Sequence, residues 1–333
     1  MSNLPFVLFR TPGATTIQAI YQNDKAVVLL EHYKQSGFVF APFDLQNNAV
    51  LVRADGKEKY HWEKPKDPVT DNANFRAGEK SKHINLLKKG IEAIEAGKLK
   101  KVVLSRKIAI PGQKEPFRIF EDLLSQYSDA LVYFFYHPGV GIWLGATPER
   151  FLEINKGELV TTSLAGTLPI TAGIAPKWSG KELKEQQIVT DFLMNTLNRY
   201  ASDLEFAPVK TVKAGKLWHL KTDIRAKGVA LEDWEAIILG LHPTPAVCGV
   251  PKASAMRFIL DNESYPREFY TGFLGGLNLN DEEEIQLYVN LRCMKITSNM
   301  AYVFVGGGIT MDSDPENEWL ETQYKSLTML AVL

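Results

Sequence analysis

Strand-like runs that follow one another without helices between them set the tightest limit on how this chain can fold. Residues 5–62 hold three such runs, Ala26–Leu30, Gly37–Ala41 and Ala49–Arg53, separated by the turn pairs Asn47-Asn48 and Asp55-Gly56. Ala130–Tyr136 and Gly141–Gly145 read as a hairpin across His137-Pro138-Gly139, and Phe151–Ile154 and Glu158–Ser163 as another across Asn155-Lys156-Gly157. Residues 207–229 are strand-like, and strands near Phe269–Leu277, Ile285–Ile296 and Met300–Val305 follow. Adjacent strands joined by short turns pair antiparallel, whereas a parallel sheet needs a crossover between each pair. The pattern predicts an α/β chain of the α+β kind, with antiparallel sheets and helices outside them.

Helical spacing places those helices. One covers Glu79–Ala96, where Ile84, Leu87, Ile91 and Ile94 recur and Gly97 stops it. Others span Ile119–Tyr127, Gly180–Tyr200, Asp233–Leu241, Ser254–Asn262 and a final stretch from Pro315; Pro243–Pro251 interrupts the fourth. A strand, Lys101–Ile110, lies between the first two. The polar stretch Lys64–Gly78 carries Pro65 and Pro68 and reads as a linker. The expected organisation is a β-rich part at 1–63, a linker at 64–78 and a catalytic region at 79–333, forming one structural domain overall.

A chain of 333 residues, 45% of them apolar, can build a core without a metal or disulfide staple. The formal charge of −1 comes with no acidic or basic blocks, so no nucleic-acid or membrane surface is expected. An anionic substrate would have to be held by a few local cations. Cys248 and Cys293 show no C-x-x-C spacing, which speaks against a zinc site or a disulfide framework. Residues 1–13 lack the features of a secretory signal, and no stretch approaches a membrane span; a cytoplasmic location is expected.

On a helical wheel, Val189, Phe192, Leu193 and Thr196 share one face of the long helix, and Glu182 and Glu185 extend that face toward the N-terminus. An amphipathic helix keeps carboxylates off its buried stripe. Two there call for a cation or for an exposed first turn, where acids favour the helix dipole. In the last helix, capped by Asp314 or Ser313, Leu320, Tyr324, Leu327 and Ala331 form an apolar stripe; Glu318, Glu321 and Lys325 form a second one. The second stripe is either a solvated face or, with Glu182 and Glu185, one half of a hard-cation site. Oxygen ligands without histidine or thiol suit Mg²⁺.

Other residues carry two readings each. Lys101 enters an apolar strand, as a snorkelling edge residue or as a buried base. Glu149, between two strands, is a turn acid or a general acid. Leu164-Ala165-Gly166-Thr167 and Gly306-Gly307-Gly308-Ile309 each follow a strand; their glycines permit tight turns or bring backbone N–H groups to an anion. Arg292 is a carboxylate clamp or the partner of a structural acid. His219 is a satisfied core histidine or part of a site.

Taken together and in order, these motifs resemble the chorismate-binding enzyme family, which includes isochorismate, salicylate, anthranilate and aminodeoxychorismate synthases. The matching segments are KVVLSRK (101–107), GATPERFLEI (145–154), TTSLAGT (161–167), SGKELKEQQIVTDFL (179–193), LWHLKTDI (217–224), FYTGFLGGLN (269–278), LRC (291–293), GGGI (306–309) and DPENEWLETQYKSL (314–327). The resemblance implies two packed, largely antiparallel sheets with helices on the outside, and chorismate as substrate. It implies that Glu185 and Glu321 bind Mg²⁺, supported by Glu182 and Glu318. Tyr270 and Arg292 would hold the enolpyruvyl carboxylate, with Lys325, Gly306 and Gly308 completing the anion site. Ala165, Gly166 and Thr167 would line the pocket, and His219 would sit beside the ring. Lys101 would activate water for attack at C2 and Glu149 would protonate the departing C4 hydroxyl.

Within the family, a glutamine typically replaces Lys101 in the aminating synthases, and a lysine replaces Ala165 in one type of aminodeoxychorismate synthase. The resemblance therefore points to an isochorismate synthase, an isomerase needing no glutaminase subunit and expected to be a monomer. A salicylate synthase, which would go on to eliminate pyruvate, and a chorismate-binding protein without catalysis stay open. So does the receiving pathway: menaquinone, a catecholate siderophore or salicylate. The chain departs from the family's pattern at Gln186, where a histidine often follows the glutamate, and in the short region ahead of the motifs.

Overall fold

Among the described residues of the computed structural model every strand pairing is antiparallel, and the pairings join into two large sheets. The structure describes residues 3–64, 74, 79–112, 114–170, 175–214, 217–280 and 283–333. In chain order the strands begin with β1 (Phe6–Arg10), β2 (Thr16–Tyr21), β3 (Val28–Leu29), β4 (Gly37–Ala41), β5 (Val50–Arg53) and β6 (Gly56–His61). Helix α1 (Lys80–Glu95) precedes β7 (Lys101–Pro111), and α2 (Pro116–Gln126) precedes β8 (Leu131–His137), β9 (Gly141–Thr147), β10 (Arg150–Asn155) and β11 (Glu158–Pro169). After α3 (Gly180–Leu197) come β12 (Asp203–Phe206), β13 (Lys210–Ala214) and β14 (Leu217–Lys227). The rest is α4 (Trp234–Leu241), β15 (Gly249–Val250), α5 (Lys252–Asn262), β16 (Phe273–Leu277), β17 (Glu284–Val289), β18 (Cys293–Ile296), β19 (Met300–Ile309) and α6 (Pro315–Leu330).

One sheet has the order β15-β7-β19-β18-β9-β8-β1-β2-β6; the other runs β12-β14-β11-β10-β17-β16-β4-β5-β3, with β13 also on β14. Their inner faces meet through an aromatic core. Phe40 stacks on Phe135 at 4.5 Å and on Phe269 at 4.2 Å, and Trp143 stacks on Phe304 at 5.3 Å. Large rings of this kind supply most of the burial between layers. The outer faces are covered by helices: α3 and α4 on the second sheet, α2 and α6 on the first, α1 and α5 over β7. No described helix is long and apolar enough to cross a membrane.

The fold differs from the sequence reading in definite places. Three N-terminal strands, β1, β2 and β6, were not expected; β6 is a charged edge strand, largely exposed, with no apolar alternation to mark it. Residues 5–62 enter both sheets, through β1 on β8 and β4 on β16. The expected linker at 64–78 lies outside the described residues except for 64 and 74. The single strand expected at Ile285–Ile296 is two strands in different sheets. The glycine runs at 166 and 306–308 are not turns after strands but lie inside β11 and β19.

The buried face of α6 also differs. Leu320 is exposed, whereas Thr322, Gln323 and Ser326 are buried. Polar groups can be buried when they are bonded. Arg106 Nε donates to Thr322 Oγ1 (2.8 Å) and its Nη2 to Gln323 Oε1 (3.2 Å), with the guanidinium over the Trp319 ring. This rotation turns Glu318 inward rather than into solvent.

Candidate active site

The chain changes sheets twice at one place. β9 passes to β10 through Thr147-Pro148-Glu149, and β17 passes to β18 through Asn290-Leu291-Arg292. The corners are bonded together: Thr147 Oγ1 donates to Val289 O (2.6 Å), Val289 N to Glu149 O (3.0 Å) and Ala146 N to Arg292 O (3.0 Å). Arg292 has φ 46°, a left-handed conformation that a non-glycine residue keeps only where its surroundings hold it. Thr271, in contact with the same corner through Asn290 O, has φ 61°. A cavity opens beside these corners, floored by β19 and closed by β11, α3 and α6.

β19 is bare where it needs to be. Gly307 and Gly308 stand opposite Leu104 and Val103 of β7. A Cβ on Gly308 would lie 2.3 Å from Glu185 Oε1 and 3.0 Å from Lys101 Cε. One on Gly307 would lie 3.4 Å from both Glu318 Oε2 and Glu321 Oε1. Three carboxylates from two helices therefore rest over consecutive glycines, and at Gly308 the approach is so close that a side chain would prevent it.

Each of the three is matched by a lysine. Lys101 Nζ lies 2.9 Å from Glu185 Oε1, a pairing of charge that makes no well-aligned hydrogen bond. Lys325 Nζ lies 2.7 Å from Glu321 Oε1 and donates to Gly306 O at 3.0 Å. Lys181 Nζ contacts Glu318 Oε1. Among the described residues no three His, Cys, Asp or Glu side chains converge as a ready metal cage. The donor set nonetheless fits a hard cation: it is all oxygen, and Glu318 Oε2 is buried without a partner.

Burial and charge set the acid–base state of the site. Burial pushes the Glu149 carboxyl up to about 7, against the opposing pull of Lys101, Lys325 and Arg292. Glu318 is also raised to about 7 by burial and then by Glu321, with Lys181 opposing. Burial acts on Glu185 in the same direction, but Lys101, Lys325 and Lys181 outweigh it and hold that carboxyl below its ordinary range. His219 is lowered to about 3 by burial, Arg292 and Lys325, so its ring is neutral. Its Nδ1 lies 2.9 Å from Gly166 O. The carbonyl can only accept, so the proton sits on Nδ1 and Nε2, which has no partner, is a bare acceptor.

The bulge in β11 makes this possible. Pairing with β14 shifts register between Ala165 and Thr167, and Gly166 takes φ 70° there. Its carbonyl then meets the His219 ring. Of the residues expected from sequence, Glu149, Ala165, Gly166, Thr167, Glu185, His219, Tyr270, Arg292, Gly306, Gly308, Glu321 and Lys325 line the cavity. Lys101 and Glu318 do not line it; they sit behind Glu185 and Glu321, within the same charge cluster. Glu182 is placed differently: its carboxylate accepts from Ser179 N (2.8 Å) and Ser179 Oγ (2.6 Å), closing a capping box. That matches the exposed-first-turn reading of this residue. Sequence reasoning missed Lys181, although a cation at a helix N-terminus, against the dipole, was a signal.

Residues 19–331 match the model of a family described as chorismate binding enzyme. Over 253 residues the chain is 33% identical to the salicylate biosynthesis isochorismate synthase of Pseudomonas aeruginosa, covering 73% of this chain and 52% of that protein. It is 32% identical over 245 residues to isochorismate synthase EntC of Escherichia coli K12, covering 70% of this chain and 62% of that one. The matches thus span about half to three-fifths of these relatives' lengths. The solved structure of DhbC from Bacillus anthracis superposes with a TM-score of 0.84 at 22% identity, covering 100% of this chain and 97% of that chain.

Proposed function

The chain belongs to the chorismate-binding enzyme family, and on that premise we propose that it is an isochorismate synthase, converting chorismate to isochorismate. The observation that carries this reading is the placing of a lysine and a neutral-leaning acid around one carboxylate cluster: Lys101, wholly buried, beside Glu185, and Glu149 raised to about 7 on the cavity wall. Exchanging a hydroxyl for water needs a base for the attacking water and an acid for the poor leaving group. Glu149, raised to about 7, keeps a substantial protonated fraction near neutral pH and can donate to the C4 hydroxyl. Lys101 can take the proton of the water only in its neutral form, so its ammonium must first give up a proton and its pair with Glu185 must separate before Nζ reaches the cavity.

Glu185 and Glu321, with Glu318 behind, would hold Mg²⁺, which when bound supplies fixed positive charge for a ring carboxylate. Arg292 and Lys325 stand ready for a second carboxylate, and Tyr270, whose hydroxyl lies over Gly306, closes that end. His219 Nε2 offers an acceptor to a substrate hydroxyl. The alanine at 165 leaves no amine there for a covalent route. We read the enzyme as cytoplasmic and able to act without a glutaminase subunit or a second copy.

Purified protein incubated with chorismate and MgCl₂, without ammonia, should form isochorismate by chromatography. No turnover would sink the proposal. Pyruvate released in the same assay would move the reading to a salicylate synthase.

A further inference from the structure

Lys181 has no role in the reaction described above, yet it stands inside the carboxylate cluster. It is the second residue of α3, after Ser179 and Gly180, where a cation opposes the helix dipole. Something must offset that position. Its ammonium contacts Glu318 Oε1 and also feels the charges of Glu321 and Glu185. The cluster as it stands is balanced, with three carboxylates matched by three ammonium groups.

The three lysines are not equally fixed. Lys101 is 0% exposed. Lys325 is tied to Gly306 O as well as to Glu321. Lys181 is 22% exposed, on the solvent side of the first turn. Its partner is the least satisfied of the three, since Glu318 Oε2 is buried with no partner and faces Glu321 Oε1 across Gly307. An ammonium on one side of Glu318 leaves that oxygen unmet; a divalent cation between Glu318 and Glu321 would not.

We propose that the ammonium of Lys181 holds the cation's place in the metal-free protein and must be displaced toward solvent when Mg²⁺ enters. The inference rests on the metal reading given above. The exchange replaces one positive charge by two, so the site gains attraction for a dianion only once the metal is in. Lys181 is then a positioning residue that lowers the affinity for the metal alone.

Calorimetric titration of MgCl₂ into the intact protein, without chorismate, tests this. Lys181→Gln should bind Mg²⁺ about tenfold more tightly than the wild type, the scale of one partly screened charge pair. Lys181→Arg should keep the weaker wild-type affinity. Melting temperatures provide a second readout: Lys181→Gln should melt lower than wild type in EDTA and gain more from MgCl₂. Equal or weaker Mg²⁺ binding by Lys181→Gln would overturn the proposal while leaving the metal site standing. Absence of Mg²⁺ binding by wild type and both variants would instead remove the metal reading, and this inference with it.

Discussion

Lys101 Nζ and Glu185 Oε1 lie 2.9 Å apart, a lysine at the start of β7 held by a carboxylate from α3. The lysine is fully buried, so neither partner is expendable. Removing one member of a buried pair leaves a charge uncompensated, at a cost of roughly 3 kcal/mol. Glu185→Ala should therefore lower stability by about that amount as well as abolish Mg²⁺-dependent turnover. Lys101→Met should stop hydration while chorismate still binds. The double variant should be more stable than the sum of the singles implies, by at least 1 kcal/mol in denaturant titrations, on the order expected for coupled neighbours. Additive losses would show that the two side chains do not act as a pair.

If Glu149 is the general acid proposed above, it should set the pH limit on the alkaline side. A general acid works in its protonated form, and burial brings this carboxyl to about 7. The rate kcat/KM should fall about tenfold per pH unit above that value, by the ordinary titration of a single acid. Glu149→Gln should be nearly inactive and lack the limb. The sign for stability is the same. The folded value lies above the ordinary 4.5, so the neutral form is favoured by folding; that contribution is full below about 4.5 and is lost as pH rises through about 7. A flat profile between pH 6 and 9 would contradict the assignment.

Much of this site was legible because its residues sit on regular elements with clean patterns. The start of β7 at Lys101, the hairpin of β8 and β9, and α3 with its two glutamates all follow from periodicity. What was not legible depends on contacts from distant segments. Asn290-Leu291-Arg292 carries no turn signal of its own beyond the asparagine. The corner exists because Tyr133 donates to Asn290 Oδ1 (2.7 Å) and Asn290 Nδ2 to Phe269 O (2.9 Å). The inward turn of Glu318 likewise depends on Arg106, more than two hundred residues earlier, bonding the polar face of α6. A helical wheel sees only hydrophobicity and put Leu320 on the wrong side. Glycines within strands were placed after strands, as turns or as an anion approach, because a sequence does not show which carboxylates will lie over them.

Those glycines give a comparative test. Gly308→Ala places a Cβ within 2.3 Å of Glu185 Oε1 and 3.0 Å of Lys101 Cε, so the Lys101–Glu185 pair must move. Gly307→Ala meets two carboxylate oxygens at 3.4 Å, an ordinary contact. Gly308→Ala should lose activity by at least a hundredfold, about 2.7 kcal/mol of transition-state stabilisation, and Gly307→Ala by far less. Both should stay folded by circular dichroism, because the Gly308 clash is with side-chain atoms and not backbone. Equal losses in the two variants would mean that the carboxylates do not rest over β19 in the working enzyme.

His219 offers the last test, because its two nitrogens separate structure from function. Nδ1 is spent on Gly166 O, which stabilises the bulge of β11. Nε2 is buried, unpartnered and open only to what enters the cavity. Asparagine can keep the first bond and lacks the second nitrogen. His219→Asn should therefore retain the melting temperature within a few degrees but lose about ten- to a hundredfold in kcat/KM, the range for one buried hydrogen bond to substrate. With the ring neutral down to about pH 3, the residue should add no limb to the pH profile between 5 and 9. If His219→Asn instead keeps full activity, the free nitrogen faces no substrate atom; if it loses the fold as well as the activity, the ring supports the bulge by more than its Nδ1 bond.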